Sequence, residues 1–316
     1  MSDAQLRVRV AWLYYMEGKT QAEIAERLGL TRLRVNRMIA EARESGLVHI
    51  TISSRLESCV ALEQELCRAS GLREAVIVPT PDDPDLVSTL LGRATADYLA
   101  RHLEENRVTG LGIGWGATLR ETVRHLRPGR YPEMGINSMM GGLTRGLELN
   151  TFEITSELAR RLGAQCNYLA APIYAGSPKS RDTILAQDVF RETFQRIAEN
   201  EVALLSVGDL SRRSLLIRYG LPSDVGVPEL RAAGAVGDVM GQFLDAAGRP
   251  IGHAVNRRAI GLPLDALSRI GTVIVASGGT NKTRIIAAVL RARLAAVLVC
   301  DERTAAAALD IVRGDG

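Results

Sequence analysis

Apolar residues recur at helical spacing from the start of the chain. Val8, Ala11, Trp12 and Tyr15 fall three and four apart, which predicts a helix from Ala4 to Glu17 closed by Gly18. Thr20-Gln-Ala-Glu23 then has the form of a capping box, with the Thr20 hydroxyl accepting from the Glu23 amide while Glu23 reaches back. The second helix it opens ends at Gly29, where a left-handed residue costs little. Thr31 is placed to cap a third helix, from Arg32 to Ser45, stopped by Gly46. Counted from Gln21, the fifth position is Ala25, the ninth Gly29 and the fifteenth Val35. A small residue lets two helices cross closely, glycine permits a sharp turn, and a branched apolar residue fills the space between them. With Ile24, Leu28, Met38 and Ile39 as the remaining core, residues 1–55 read as a helix-turn-helix domain. The run Leu47-Val-His-Ile-Thr-Ile52 alternates like a strand and would form either a small wing or a link to the next domain.

From residue 56 the pattern changes. Leu56–Ser70 reads as a linking helix with Val60, Leu62, Leu66 and Ala69 on its apolar side. Then come short apolar runs: Ala75–Pro79, Val108–Ile113, Ile136–Met140, Gln165–Ala170, Val202–Val207, Thr272–Ala276 and Ala296–Cys300. They lack two-residue alternation, which predicts strands buried on both faces. Amphipathic segments separate them: Leu86–Leu103, Ala117–Leu126, Thr151–Leu162, Thr183–Ala198 and Lys282–Leu294. Strand–helix alternation implies right-handed crossovers and a parallel sheet. The fold class is therefore α/β, a helix-turn-helix head followed by a parallel-sheet domain over residues 56–316.

Charge sharpens the reading of the head. The 316 residues carry a net charge of +3. Residues 1–55 hold nine Lys or Arg against six Asp or Glu, and the remainder is neutral. The excess thus sits where a polyanion partner would need it. With Val35, Ile39 and Ala42 turned inward, the third helix exposes Arg32, Arg34, Asn36 and Arg37. Arginine grips guanine or phosphate, and asparagine pairs with adenine in the major groove. With Gln21 and Thr31 at the two helix starts, these are the candidate contacts to double-stranded operator DNA. The plainer alternative is a helical hairpin with a solvated basic face; the agreement of cap, turn and exposed set favours DNA.

Cys59, Cys67, Cys166 and Cys300 form no C-x-x-C pair and have no histidine at metal spacing, so buried free thiols in a reducing cytosol are expected. No apolar run has signal-peptide or bilayer-spanning length, which predicts a cytoplasmic protein without a membrane partner. Nothing calls for a metal or cofactor.

In a parallel sheet, ligands bind beyond the carboxyl ends of the strands. Two glycine-rich loops are expected there: Gly112-Ile-Gly114-Trp-Gly116-Ala-Thr118 and Ser277-Gly278-Gly279-Thr280-Asn281-Lys282. A third candidate is Gly141-Gly142-Leu-Thr144-Arg145. Glycines let the backbone approach a ligand, and helix starts offer free amides, which suits a phosphate or a polyhydroxy compound. Ordinary tight turns are the simpler reading; two such loops, one carrying Lys282, favour a small anionic ligand. The first loop departs from the dinucleotide fingerprint and no G-x-x-x-x-G-K-[ST] occurs, which argues against ATP or GTP.

Over nearly its whole length the chain resembles the SorC family of sugar-binding transcriptional regulators. The motifs that carry the resemblance are Gln21-Ala-Glu-Ile-Ala-Glu-Arg-Leu-Gly29, Gly112-Ile-Gly-Trp-Gly-Ala-Thr-Leu119, Gly234-Ala-Val-Gly-Asp238 with Phe243-Leu-Asp-Ala-Ala-Gly248, and Ser277-Gly-Gly-Thr-Asn-Lys282 followed by Val299-Cys-Asp301-Glu302. The resemblance implies an effector domain related to the ribose-phosphate isomerase and glucosamine-phosphate deaminase fold. It also implies a sugar, sugar phosphate or polyol effector, a homodimer or homotetramer on its operator, and a transcriptional regulator, repressor or activator, of a carbohydrate or polyol catabolic operon. By the same resemblance Gly114, Gly116 and Thr118 line the phosphate or hydroxyl site, and Arg145 beside Gly141 and Gly142 adds a second contact. Asp238 accepts hydroxyl hydrogen bonds, and Lys282 beside Gly278 and Gly279 supplies positive charge. Trp12, Tyr14 and Tyr15, with Leu33-Arg-Val-Asn36, resemble regulators of polyol catabolism, erythritol among them. One competing reading is an isomerase- or deaminase-like enzyme with an added head, using Asp238 as base with Asp209 or Asp301 nearby. Another is a sugar-binding module whose head serves assembly.

Overall fold

The computed structural model describes residues 2–48, 56–143 and 150–314. The chain divides into two compact units, Met1–Arg55 and Leu56–Gly316.

The first unit has three helices, α1 (Asp3–Tyr15), α2 (Gln21–Leu28) and α3 (Arg32–Glu44). Thr20 and Glu23 form the reciprocal capping box, Gly29 closes α2 in the left-handed conformation, and the Thr31 hydroxyl accepts from the Arg34 amide at 3.2 Å. Val10, Leu13, Ile24, Ala25, Val35, Met38 and Ile39 make the core. On α1 the inward face differs from the expected one. Val10, Ala11 and Leu13 are buried, whereas Val8 and Trp12 face outward together with Met16. This helix is apolar on several sides, so periodicity alone cannot choose the stripe; α2 and α3 choose it by packing on Val10 and Leu13. The expected strand over residues 47–52 lies largely outside the described residues; Leu47 and Val48 extend the turn after α3, with the Val48 amide donating to the Ala42 carbonyl.

The second unit begins with α4 (Glu57–Ser70), β1 (Glu74–Val78), α5 (Val87–Glu105), β2 (Gly110–Ile113), α6 (Ala117–His125) and β3 (Gly135–Ser138). Next come α7 (Thr151–Leu162), β4 (Gln165–Asn167), α8 (Pro178–Leu185), α9 (Asp188–Ala198), β5 (Val202–Leu205) and β6 (Val207–Gly208). The chain continues through α10 (Val227–Ala232), β7 (Gly237–Val239), β8 (Gln242–Leu244) and β9 (Thr272–Ala276). It closes with α11 (Thr283–Arg291), β10 (Val297–Asp301) and α12 (Glu302–Gly314). Seven strands pair in the order β1-β10-β9-β5-β2-β3-β4, every pair parallel. They fall in the seven apolar runs of the sequence, but the two edge strands lack the expected burial on both faces: β1 is buried at alternate residues and β4 is largely exposed. The central β5, β9 and β10 are buried throughout, as their unbroken apolar character requires.

Three further features depart from the expected pattern. The run Val202–Val207 breaks at Ser206, and Val207 starts a separate three-stranded antiparallel sheet of β6, β7 and β8. Met240 and Gly241 join β7 to β8 with both backbones left-handed, at φ 50° and 76°, the geometry of a two-residue hairpin. The predicted helix Thr183–Ala198 is two helices, parted at Ala186 and Gln187. The C-terminal segment folds as α12, which the pattern reading did not pick out.

β2 continues the chain toward β3 and β4, whereas β5, its neighbour in the sheet, continues it toward β9 and β10 on the other side. The strand order therefore reverses between them, and the carboxyl ends of this pair are where a parallel sheet opens a crevice. No described helix is long and apolar enough to cross a membrane.

Candidate functional site

This scaffold presents two surfaces of interest. On α3, Val35 is fully buried while Arg32, Leu33, Arg34, Asn36 and Arg37 are exposed. Leu33, Asn36 and Arg37 stand three and four apart and share one face. Asn36 Oδ1 accepts from the Gln21 side-chain amide at 3.3 Å, which joins the starts of α2 and α3. Arg34 is paired with Asp3 of α1 at 3.1 Å. Arg37 pairs with Glu41 at 2.9 Å, yet its side chain remains 80% exposed. Exposed ion pairs contribute under about 1 kcal/mol, so they orient these arginines without locking them. The Thr31 hydroxyl is engaged as the helix cap. Leu33, 80% exposed, was not singled out by the sequence reading. Its signal was available, because it sits opposite the inward Val35 and Ile39.

The second surface is a cavity of about 340 Å³ at the reversal point of the sheet. Its walls are Trp115 to Ala117 after β2, Ser206 to Asp209 after β5, Gly278 to Lys282 after β9 and Asp238 of β7, closed by Arg213 to Leu216 and by the segment around Pro84 to Ser88. Gly116 takes φ 130° and ψ 165°, a conformation open essentially to glycine alone, and α6 starts directly from it. The Gly279 amide donates to Asp301 Oδ1 at 2.8 Å, which ties the glycine loop to the end of β10. Asp301 Oδ2 accepts from the Thr80 hydroxyl at 2.9 Å and from the amide and hydroxyl of Thr304 at 3.1 and 3.0 Å. Both of its oxygens are thus engaged in structure, and it holds the wall of the cavity instead of entering it.

Five ionisable residues line the cavity: Asp85, Asp209, Arg213, Asp238 and Lys282, of which Asp85 and Arg213 are exposed at its mouth. Asp238 is buried, with Oδ2 accepting from the Gly241 amide at 3.1 Å and Oδ1 without a partner within the protein. Burial pushes its carboxyl up to about 6, with nearby Asp209 adding to the rise and the Gly241 amide and Lys282 opposing it. Asp209 is likewise buried; its Oδ2 accepts from the Ser211 amide at 3.0 Å, and Oδ1 has no protein partner. Lys282 donates to the Ser277 hydroxyl at 3.1 Å. Burial lowers its ammonium below the ordinary lysine range, opposed by the pull of Asp209 and Asp238.

An acid whose folded value lies above its unfolded value favours folding in its protonated form. Ionising Asp238 therefore destabilises the fold as pH rises from its ordinary 3.8 through about 6. Two pKa units correspond to roughly 2–3 kcal/mol. Asp238→Asn is expected to be more stable than the parent protein at pH 8 by about 2 kcal/mol, with the gap closing toward pH 4. Urea unfolding at pH 4, 6 and 8 measures this; a gap that stays constant across the range counts against it.

Of the residues expected at the effector site, Gly116, Asp238, Gly278, Gly279 and Lys282 line this cavity. Gly114 and Thr118 are buried beside it and are not among its lining residues; the Gly114 amide donates to the Leu204 carbonyl at 2.9 Å. Gly141 and Gly142 lie elsewhere. Their amides donate to Ile260 and Ala171 carbonyls, and a Cβ on Gly141 would stand 2.3 Å from the Pro172 oxygen. Their smallness lets two chain segments pack closely, and neither is among the residues lining the cavity. Arg145 lies outside the described residues. Asp209 entered the sequence reading only under the enzymatic alternative; its position directly after an apolar strand was the available signal. Among the described residues no cluster of His, Cys, Asp and Glu is set to hold a metal ion. Of the cysteines, Cys59 and Cys300 are buried, but Cys166 on edge strand β4 is exposed, contrary to the expected burial.

Comparison with known proteins covers both units. Residues 54–310 match the family described as a putative sugar-binding domain, and residues 10–45 match sigma-70, region 4. The chain is 29% identical over 306 residues to the erythritol catabolism regulatory protein EryD of Brucella abortus (strain 2308), covering 97% of this chain and 96% of that one. It is 31% identical over 322 residues to the transcriptional regulator LsrR of Escherichia coli (strain K12), covering 98% and 96%. The crystal structure of the full-length sorbitol operon regulator SorC from Klebsiella pneumoniae matches with a TM-score of 0.72 at 26% identity, covering 97% of this chain and 99% of that one. These relatives are named as regulators rather than enzymes, which removes the isomerase or deaminase alternative. With a DNA-binding type of head, a matched sugar-binding domain and end-to-end relatives near 30% identity, the chain belongs to the SorC family of sugar-binding transcriptional regulators.

Proposed function

We propose that this regulator is a cytoplasmic repressor of a polyol or sugar catabolic operon, acting as a homodimer or homotetramer that releases its operator when a polyol or sugar, free or phosphorylated, enters the cavity. The observation that carries the reading is the cavity itself, which brings the buried acceptors Asp209 and Asp238 together with Lys282, Arg213 and the Gly116 turn. The names of the erythritol and sorbitol regulators among its relatives favour a polyol. In the head, Arg37 is suited to guanine, Asn36 with Gln21 to adenine, and Leu33 to a thymine methyl group. Arg32 and Arg34, off that face, suit phosphates. Two such heads would meet half-sites about one helical turn apart. The effector acts only to the extent that it favours one arrangement of the assembly over another.

Operator binding followed by fluorescence anisotropy, on a site located by footprinting, tests this. Arg37→Ala is expected to weaken binding by about 1–3 kcal/mol and relax preference at one base position. Arg34→Ala is expected to weaken all sequences alike and lower the salt slope by about one. Unchanged affinity in both variants, or no release by any sugar or polyol, counts against the proposal.

A further inference from the structure

Asp209 and Asp238 resemble each other in a way that a merely structural pair would not need. Each is at least nine-tenths buried, at 4% and 3% exposure. Each has one carboxylate oxygen fixed by a backbone amide, from Ser211 and Gly241 respectively. Each keeps its other oxygen buried and without a partner in the protein. The register of the small sheet brings them together: Gly208 of β6 pairs with Asp238 of β7, and Asp209 follows Gly208 directly. Gly208 makes this approach possible, since a Cβ there would lie 2.1 Å from Asp238 Oδ1. Both residues line the same cavity.

A carboxylate can only accept hydrogen bonds, and leaving a buried one without a donor is costly. Lys282 attracts both carboxylates but does not satisfy the free oxygens, because its hydrogen bond goes to the Ser277 hydroxyl. Arg213, at the exposed mouth of the same cavity, makes no hydrogen bond to either carboxylate, so the hydrogen-bond donors to the two free oxygens are those of an entering molecule. A phosphate at this end would face two carboxylates, whereas neutral hydroxyl groups would supply two donors with no like-charge repulsion.

Building on the reading of the cavity as the effector site, we infer that Asp209 and Asp238 form a clamp for two hydroxyl groups of the ligand, making Asp209 a specificity-determining residue. The ligand is then a compound with at least two hydroxyl donors at one end, held by the acidic pair. Any phosphate it carries is held away from the two carboxylates, toward the Gly116 turn.

Titration calorimetry on the full chain tests the clamp. The probes are linear four- to six-carbon polyols, aldoses and ketoses, their monophosphates, and monodeoxy analogues of whichever probe binds. Asp209→Asn is expected to weaken the bound probe about ten- to a hundredfold, free or phosphorylated. A monodeoxy analogue lacking the clamped hydroxyl should lose the same factor against the parent protein and little more against Asp209→Asn. Asp209→Ala reads the same cycle if the asparagine variant does not fold. Equal affinity in parent and variant, or a deoxy penalty that persists undiminished in the variant, overturns the clamp and leaves the effector reading standing. A parent protein that binds none of the probes overturns the effector reading, and the clamp with it.

Discussion

Asp301→Ala is expected to destabilise the effector unit by about 3–4 kcal/mol, lowering its melting temperature by roughly 6–12 °C. The carboxylate is 1% exposed and accepts four hydrogen bonds, from the Gly279 amide, the Thr80 hydroxyl, and the amide and hydroxyl of Thr304. Bonds to a charged acceptor contribute more than neutral ones, and truncation strands several buried donors at once. The two threonine hydroxyls can turn toward other acceptors, which keeps the loss below the simple total. The two backbone amides cannot turn, and one of them starts α12 while the other fixes the glycine loop. Asp301→Asn, which keeps one acceptor oxygen, should fall between the parent and the alanine variant. Calorimetric melting reads the effect. A shift within about 2 °C of the parent would show that the loop and α12 hold without this anchor.

Gly208→Ala is expected to abolish the response to effector, shifting its midpoint by tenfold or more, about 1.4 kcal/mol, while leaving operator affinity unchanged. The added methyl would stand 2.1 Å from Asp238 Oδ1 and 3.4 Å from the Ser214 hydroxyl. No real Cβ contact is that short, so one side must move. Asp238 sits mid-strand on β7 and is tied to the Gly241 amide, so relief means either turning its carboxylate out of place or prying β6 from β7. Either outcome dismantles the acceptor wall of the cavity. The head has its own core of Val10, Leu13, Ile24, Val35 and Ile39, which this substitution does not touch. Effector titration of the operator complex decides it: a variant with the parent's midpoint would remove Asp238 from ligand contact.

The centre of the parallel sheet was legible because β5, β9 and β10 are short unbroken apolar runs, and burial on both faces leaves that mark; the edge strands β1 and β4 carry it weakly, since β1 is buried only at alternate residues and β4 is largely exposed. The head was legible because Thr20, Glu23, Gly29 and Thr31 each do a local job that few other residues can do. The inward side of α1 was not, since Val8, Val10, Trp12 and Leu13 offer competing stripes and only the partner helices select one. The β6–β8 sheet escaped notice because its strands are two or three residues long, too short for any period to register. At the cavity, glycine loops were legible as loops but not as ligand contacts: Gly116 and Gly279 line the space, while Gly141 and Gly142 serve packing. Nor does sequence distinguish Asp301, with both oxygens engaged, from Asp209 and Asp238, each with one oxygen left over. That difference is set by which backbone amides arrive from distant segments.

The reversal of strand order has a mechanical side. β2 and β5 adjoin along one line of backbone bonds, and from that line the polypeptide departs in opposite directions. A molecule lodged above the line and touching the turns after both strands works as a rivet across a seam, resisting any spreading or sliding of the two flanks. The message of occupancy can therefore be a stiffer joint, carried outward by flanks that themselves keep their shape.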